Sequence, residues 1–271
     1  MSSTENPLPP RKTIAANPVA VAALLLVPAL LGLLLVSLAT WGMRNGDYRS
    51  GVNLKMFGVA LRMYADDRMG VRNYGPMLSS TPGRLLFDPS GFHPEYLGDP
   101  SILISPADPA NSGARRGSKD AGFYFDNCSY DYIGYMVWDD ATVTAFANAY
   151  RQRIRDRLPF DTDLSAAPPV SVVKRLDFGV YREMVPDDQR DKPEWAYLKH
   201  PEAEIPVLIE RPHPYPGQYG LFLFGEVPLS NPVMAGCVLY MDGHAEFILY
   251  PGKWPMTRTT IETLEALRAA R

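Results

Sequence analysis

An uncharged apolar run near the N-terminus is the strongest feature of the hydrophobic pattern. From Pro18 to Thr40 the chain reads PVAVAALLLVPALLGLLLVSLAT, without an ionisable side chain. Because about 20 apolar residues are enough to cross a bilayer as a helix, the run predicts a transmembrane helix over residues 18–41, with membrane lipid as its partner. Pro28 and Gly32 are compatible with this interpretation, since transmembrane helices tolerate both residue types.

The flanks of the run predict its orientation. Arg11 and Lys12 precede it, so the positive-inside rule places the N-terminus in the cytoplasm and the rest of the chain outside it. The polar, proline-broken residues 1–17 are predicted to be a disordered cytoplasmic tail. The predicted location is therefore the inner membrane, with a single pass. A cleaved signal peptide is the alternative, because residues 37–39 offer a small-x-small site, although its apolar core would be shorter, about 7–15 residues.

Residues 42–271 show helical and strand patterns in turn, which predicts an extracytoplasmic α+β domain built on a small antiparallel sheet. Apolar spacing predicts a helix over 52–66, close enough to the apolar run to form one rod with it. A second helix is predicted over 139–158, ended by Pro159, and a third at the C-terminus. Strands are predicted at Ser129–Val137, Val170–Lys174, Phe178–Glu183 and Ile205–Glu210.

Proline and glycine punctuate residues 73–121 every few positions, which predicts a long loop rather than regular elements. A short helix around Pro82–Leu86 and an apolar segment at Ile102–Ile104 are the regular pieces expected within it. The segment 211–220, with three prolines among aromatic residues, predicts an extended loop. The 73–121 loop is a candidate for a functional surface, although a self-packed surface loop is its simpler interpretation.

A hairpin over residues 236–250 is predicted from Asp242-Gly243, which separates two apolar runs. A two-residue type I′ turn requires φ > 0 at both positions and suits this dipeptide. The predicted cross-strand pairs are Met241–His244, Tyr240–Ala245, Leu239–Glu246, Val238–Phe247 and Cys237–Ile248. In this register one face is entirely apolar and contains Val238, Tyr240, Ala245, Phe247 and Leu249.

Composition narrows the classes of function. The chain has 271 residues, of which 46% are hydrophobic and 21% charged, with a net charge of −3. This balance argues against nucleic-acid binding, which requires a concentrated basic face. The sequence contains no G-x-S-x-G, phosphate-loop, H-E-x-x-H or paired C-x-x-C motif. We therefore expect neither catalytic residues nor a cofactor.

Few residues are candidates for metal binding. Asp242, His244 and His213, with Glu246, can form a nitrogen–oxygen site, although a solvent-exposed turn histidine is the simpler interpretation of His244. A calcium site in an extracytoplasmic loop is a further possibility, without the spacing of a known calcium loop; its candidates are Asp126, Asp131, Asp139 and Asp140. Cys128 and Cys237 can pair if their strands are adjacent, or remain as two buried thiols.

Five segments together resemble the pseudopilin-like proteins abundant in Planctomycetes, which are related to the type II secretion major pseudopilin and to type IV pilins. They are NLKMFGVALRMYADDRMG, EYLGDPSILISPADP, SYDYIGY, IPVLIERP and VLYMDGHAEFILYPGKWPMT. The resemblance covers most of residues 53–257 and implies a pilin-like fold, in which a hydrophobic N-terminal helix precedes a small sheet domain. It implies a structural or assembly component of a secretion or pilus-like envelope system, with a homo-oligomer or other pseudopilins as partners.

Two positions differ from the family pattern. The apolar run opens Asn-Pro-Val-Ala-Val and lacks the Gly-Phe-Thr-Leu-Ile-Glu start at which family prepilins are cleaved, so we expect an unprocessed N-terminus. Pro232 stands where many relatives have a histidine ten residues before the Asp-Gly. The alternative function is a membrane-tethered periplasmic ligand-binding protein or hydrolase that uses the 73–121 loop with His213 and His244.

Overall fold

The computed structural model of the chain describes residues 18–67, 73–108, 118, 120–179, 188, 192–214 and 233–270. The chain divides into two compact units, Met1–Gly42 and Met43–Arg271. The first helix, α1, is continuous over the 50 residues Pro18–Asp67. The tail predicted at 1–17 lies outside the described residues.

The predicted transmembrane helix over residues 18–41 is wrong. No helix in the described part of the chain is long and apolar enough to cross a membrane. The apolar run does not form a separate helix. It is the first part of α1, which continues without a break to Asp67 and carries ionisable side chains from Arg44 onward. The rest of the architecture is α+β with antiparallel sheets.

The later residues of α1 are amphipathic, as the helical spacing over 52–66 predicts. One face is buried, with exposed fractions of 0–6%; it comprises Leu54, Phe57, Ala60, Leu61, Tyr64 and Ala65. Burying each large apolar side chain contributes roughly 1.5–3 kcal/mol. This face therefore anchors α1 to the domain.

The described residues form three further α-helices: α2 (Ala121–Asp126), α3 (Asp140–Asp156) and α4 (Arg258–Ala269). Asp139 begins α3 with a capping box, in which its carboxylate accepts the Thr142 N–H at 2.7 Å. Arg157 ends it in the left-handed conformation, at φ 54°. The predicted α3 and C-terminal helix are present, whereas α2 was not predicted. Short 3₁₀ helices occupy Pro100–Leu103, Pro193–Lys199 and Glu202–Glu204.

The main sheet is antiparallel, with β4 (Pro206–Glu210) between β1 (Tyr130–Tyr132) and β6 (Met234–Tyr240). Strand β5 (His213–Pro214) pairs with β6 beyond the end of β4, and β7 (Ala245–Tyr250) pairs with the other edge of β6. A separate two-stranded sheet joins β2 (Leu164–Ser165) to β3 (Val172–Val173).

The register gives the main sheet two distinct faces, which we call the α1 face and the α4 face. On the α1 face, the ring of Tyr130 lies 6.0 Å from that of Phe57. On the α4 face, Asp131 on the next position of β1 accepts a hydrogen bond from Arg268 of α4. Residues alternate between these faces along each strand.

Several predicted boundaries are wrong. The strand at 129–137 shortens to β1, because Gly134 at φ 67° interrupts the extended backbone before Tyr135 bridges to Arg175. Pro82–Leu86 is not a helix; the Leu86 carbonyl instead accepts the Ser79 N–H at 2.8 Å. Of the strand predicted at 178–183, Phe178 and Gly179 lie in a turn and the rest lies outside the described residues.

The 211–220 segment is not wholly a loop, because its residues 213–214 form β5; residues 215–220 lie outside the described range.

The hairpin is present, but its predicted register is wrong by one residue. The Tyr240 N–H donates to the His244 carbonyl at 3.0 Å, and the Gly243 N–H donates to the Tyr240 carbonyl at 2.9 Å. The loop therefore contains three residues and ends on Gly243 at φ 90°, the arrangement of a glycine bulge rather than a type I′ turn.

This shift moves every side chain of β7 to the opposite face. Phe247 now lies opposite Cys237, and Ile248 lies opposite Gly236. Ile248 is 4% exposed, whereas Phe247, which belonged to the predicted buried face, is 36% exposed. The buried face of β7 is therefore the one that carries Ile248.

Candidate functional site

The solvent face of α1 carries a row of exposed apolar side chains, which we call the α1 stripe. Tyr48, Val52, Met56, Val59 and Met63 are 40–73% exposed and follow one another at intervals of three or four residues. This spacing places them in one line along a helix. A solvated helix face normally carries polar residues, so an apolar line indicates a surface with a partner.

A second group of exposed apolar residues lies earlier in α1. Leu30, Leu31, Leu33 and Leu34 are 49–63% exposed. Consecutive positions of a helix are about 100° apart, so these four leucines span an arc of roughly 160° on one side of α1. Exposed apolar side chains on a helix surface are energetically unfavourable in water and favour burial against other molecules.

A buried polar cluster lies beneath α1, on the α1 face. The Glu210 carboxylate, which is 0% exposed, accepts hydrogen bonds from the Ser50 hydroxyl at 2.7 Å, from the Ser105 hydroxyl, and from the Cys237 N–H at 2.7 Å. These donors come from α1, from the segment after the first 3₁₀ helix, and from β6. Sequence analysis did not identify this cluster, because Glu210 appears only as the polar end of an apolar strand.

Burial dominates the electrostatics of this cluster. Removal from water raises the pKa of Glu210, while His213, whose Nδ1 lies 3.8 Å from the Glu210 Oε1, and the hydrogen-bond donors oppose that rise. Burial, followed by the Glu210 charge, also raises the pKa of Tyr130. The cluster is buried, and its hydrogen bonds connect α1 to the sheet, so its role is structural.

The structure separates His213 from the other predicted metal candidates, Asp242 and His244. His213 lies opposite Ala235 and is 5% exposed, whereas His244 pairs with Tyr240 in the turn. Five residues of β6 separate these positions, roughly 17 Å. The His244 Nδ1 lies 2.6 Å from Asp242. Among the residues that the structure describes, no group of three or more His, Cys, Asp or Glu could hold a metal ion.

The four calcium candidates are dispersed and each has a protein partner. Asp126 pairs with Arg84, and Asp131 with Arg268. Asp139 caps α3, and Asp140 accepts hydrogen bonds from the hydroxyls of Thr257 and Thr260, which joins the first turns of α3 and α4. These carboxylates therefore act as structural acceptors.

A cleft of about 530 Å³ opens between the 81–86 segment and the start of β1. The Arg84–Asp126 pair, Arg211 and the buried Cys128 are among its lining residues. Burial raises the pKa of the Cys128 thiol to about 12, so it is a poor nucleophile. Cys128 and Cys237 are both buried and are not joined by a disulfide. The described lining of the cleft thus combines paired charges with a protonated, buried thiol.

Comparison of the chain with protein-family models, with curated proteins and with solved structures finds no match in any of the three.

Proposed function

We propose that the protein is a structural, non-catalytic subunit of a secretion-type or pilus-like assembly in the cell envelope, as the resemblance to pseudopilins implies. The observation that carries this proposal is the exposure of Leu30, Leu31, Leu33 and Leu34 on a helix that is continuous with the one packed on the sheet. Exposed apolar side chains clustered on one helix mark an interaction surface, which in an assembly other subunits cover.

The arrangement of the domain supports the same role. The buried face of α1 packs along the sheet, and the Glu210 cluster ties α1 to β4 and β6. A helix held in this way keeps its register on the sheet. An assembly subunit needs this property, whereas the hydrolase alternative needs His213 and His244 close together, which they are not.

The test is site-specific cross-linking of the full chain in its native cells. A photo-reactive residue in place of Leu31 should give adducts with envelope assembly subunits or with further copies of the chain. The same residue in place of Leu158, which is 48% exposed on another element, is the matched control. Equal adducts from both positions, or Leu31 adducts that contain no assembly protein, would contradict the proposal.

A further inference from the structure

We infer that the cleft between the 81–86 segment and the start of β1 binds a small organic carboxylate through Arg211 and Arg84. This inference goes beyond the proposed function, because it concerns a ligand site on the domain and not the place of the chain in an assembly. Its basis is the charge of the cleft lining, the incomplete hydrogen bonding of Arg211, and the backbone bonds that hold both arginines in position.

The lining of the cleft carries one more positive charge than negative charge. Three of its residues have charged side chains, namely Arg84, Asp126 and Arg211. Burial raises the pKa of the Cys128 thiol and of the Tyr130 hydroxyl, so these two lining groups are protonated and neutral. Arg84 pairs with Asp126, which leaves the charge of Arg211 uncompensated within the lining. The cleft therefore favours an anion over a cation.

The guanidinium of Arg211 is not saturated by the described part of the protein. Its Nε is buried and makes no hydrogen bond there, since the Asp131 Oδ1 lies 3.6 Å away. Asp131 is instead bound by Arg268. The side chain of Arg211 is 37% exposed where it lines the cleft. Because a guanidinium carries five N–H donors in a planar fork, Arg211 can bind both oxygens of a carboxylate.

Backbone hydrogen bonds from the first residues of the sheet hold both arginines at the cleft. The Tyr132 N–H donates to the Leu85 carbonyl at 3.0 Å, which fixes the residue next to Arg84. The Arg211 N–H donates to the Ser129 carbonyl, also at 3.0 Å. Since these backbone positions are already fixed, a ligand loses little affinity to the ordering of the protein. The backbone of the site is therefore preformed, as in most small-molecule sites.

The size and the apolar wall of the cleft define the rest of the ligand. Its volume of about 530 Å³ lies within the range of about 300–1,000 Å³ that is usual for small-molecule pockets. Leu85, Leu86 and Phe125 contribute to its wall, which suits an apolar group beside the carboxylate. Free organic acids and the C-terminal residue of a peptide share this chemistry, whereas inorganic phosphate lacks the apolar group.

Isothermal titration calorimetry of the purified full chain tests the class of ligand. N-acetylphenylalanine, which joins a carboxylate to an apolar ring, should bind. Its uncharged amide should bind at least about tenfold more weakly, because it cannot form the charge-assisted, bidentate contact with arginine. Equal binding of acid and amide, or no binding of the acid, would overturn the inference. Tighter binding of inorganic phosphate alone would overturn it as well.

Two further probes distinguish the sources of the carboxylate. Phenylacetate represents a free acid, and a tetrapeptide that ends in phenylalanine represents a peptide C-terminus. Tighter binding of either one supports the inference and identifies the source. Failure of both to bind would overturn it.

Three variants locate the bound carboxylate. Arg211→Gln should weaken the binding of N-acetylphenylalanine at least about tenfold. Asp126→Asn should tighten it about threefold, because it releases Arg84 from its pair, and a folding defect would not tighten binding. Arg258→Gln, at an exposed position of α4, is the control and should leave the affinity unchanged.

Unchanged affinity in Arg211→Gln, or an Asp126→Asn variant that does not bind more tightly, would overturn the inference. Cross-linking at Leu31 does not involve the cleft, so the proposed function is tested separately from this site.

Discussion

The two faces of the main sheet each bury a carboxylate, and the partners of the two carboxylates differ. Glu210, on the α1 face, is held by two hydroxyls and a backbone N–H. Asp131, on the α4 face, is held by the guanidinium of Arg268, with Arg211 at 3.6 Å. Burial raises the pKa of Glu210, and its neutral donors oppose this rise without supplying a full positive charge, whereas the Arg268 guanidinium offsets the charge of Asp131 directly. The α1 joint, formed by Glu210 and its donors, is therefore sensitive to protonation, and the α4 joint, formed by Asp131 and Arg268, depends on arginine.

The largest expected effect comes from breaking the contact between Asp131 and Arg268 at the α4 joint. Arg268→Ala leaves a carboxylate that is 2% exposed without its main partner, which should lower the free energy of unfolding by about 4 kcal/mol. Urea denaturation of the full chain measures this change. Arg155→Ala, at an exposed position of α3, is the matched control and should change stability by less than about 0.5 kcal/mol. Equal losses in the free energy of unfolding for the two variants would show that Arg268 does not compensate the charge of Asp131.

The next prediction tests which side chains of β7 lie on the buried face of the hairpin. Ile248→Ala removes a buried side chain of β7 and should cost about 3 kcal/mol. Phe247→Ala removes a larger side chain that is already partly exposed, so it should cost about 1 kcal/mol. Denaturant midpoints of the two variants give the order. If Phe247→Ala is the more destabilising, the two-residue turn is correct and the three-residue loop is not.

The smallest effect concerns the α1 joint and depends on pH. Because the native pKa of Glu210 lies above its unfolded value of about 4.3, the native state binds this proton more tightly. Its contribution to stability is complete below that pH and is lost as the pH rises through the native pKa. Glu210→Gln does not titrate, so its stability relative to the unmodified protein should increase as the pH rises from 4 to 8.

Urea unfolding at several pH values measures this difference for Glu210→Gln. Glu262→Gln, at an exposed position of α4, is the control and should show a constant difference from the unmodified protein. A constant difference for Glu210→Gln as well would show that burial does not raise the pKa of this carboxyl.

Periodicity predicted the elements whose apolar residues fall on one side. The spacing of Leu54, Phe57, Leu61 and Tyr64 predicted the packed part of α1, and the capping residue Asp139 predicted the start of α3. Strand β7 lacks this one-sided pattern, since Phe247 and Leu249 alternate with Ile248 and Tyr250. Its register is set by the turn and the core together, and Asp242-Gly243 fits two turn types.

The buried clusters could not be predicted, because tertiary contacts create them. Ser50, Ser105 and Glu210 are separated by 55 and 105 residues, and each is an ordinary polar residue in its local sequence. The transmembrane prediction followed from the length and composition of the apolar run, which in the structure is part of a single helix over Pro18–Asp67. The function comes from resemblance and from exposed apolar residues, so it remains a proposal.

The reactivity of the two buried thiols reports on the opening of the main sheet. Cys128 lies just before β1 and Cys237 lies within β6, so the two report on separate strands of one sheet. Because the Cys128 pKa is raised to about 12, its thiol is almost entirely protonated in the native state, and an alkylating reagent must wait for the surrounding structure to open. Labelling rates of the two cysteines therefore distinguish local fraying at one strand from cooperative unfolding of the whole sheet.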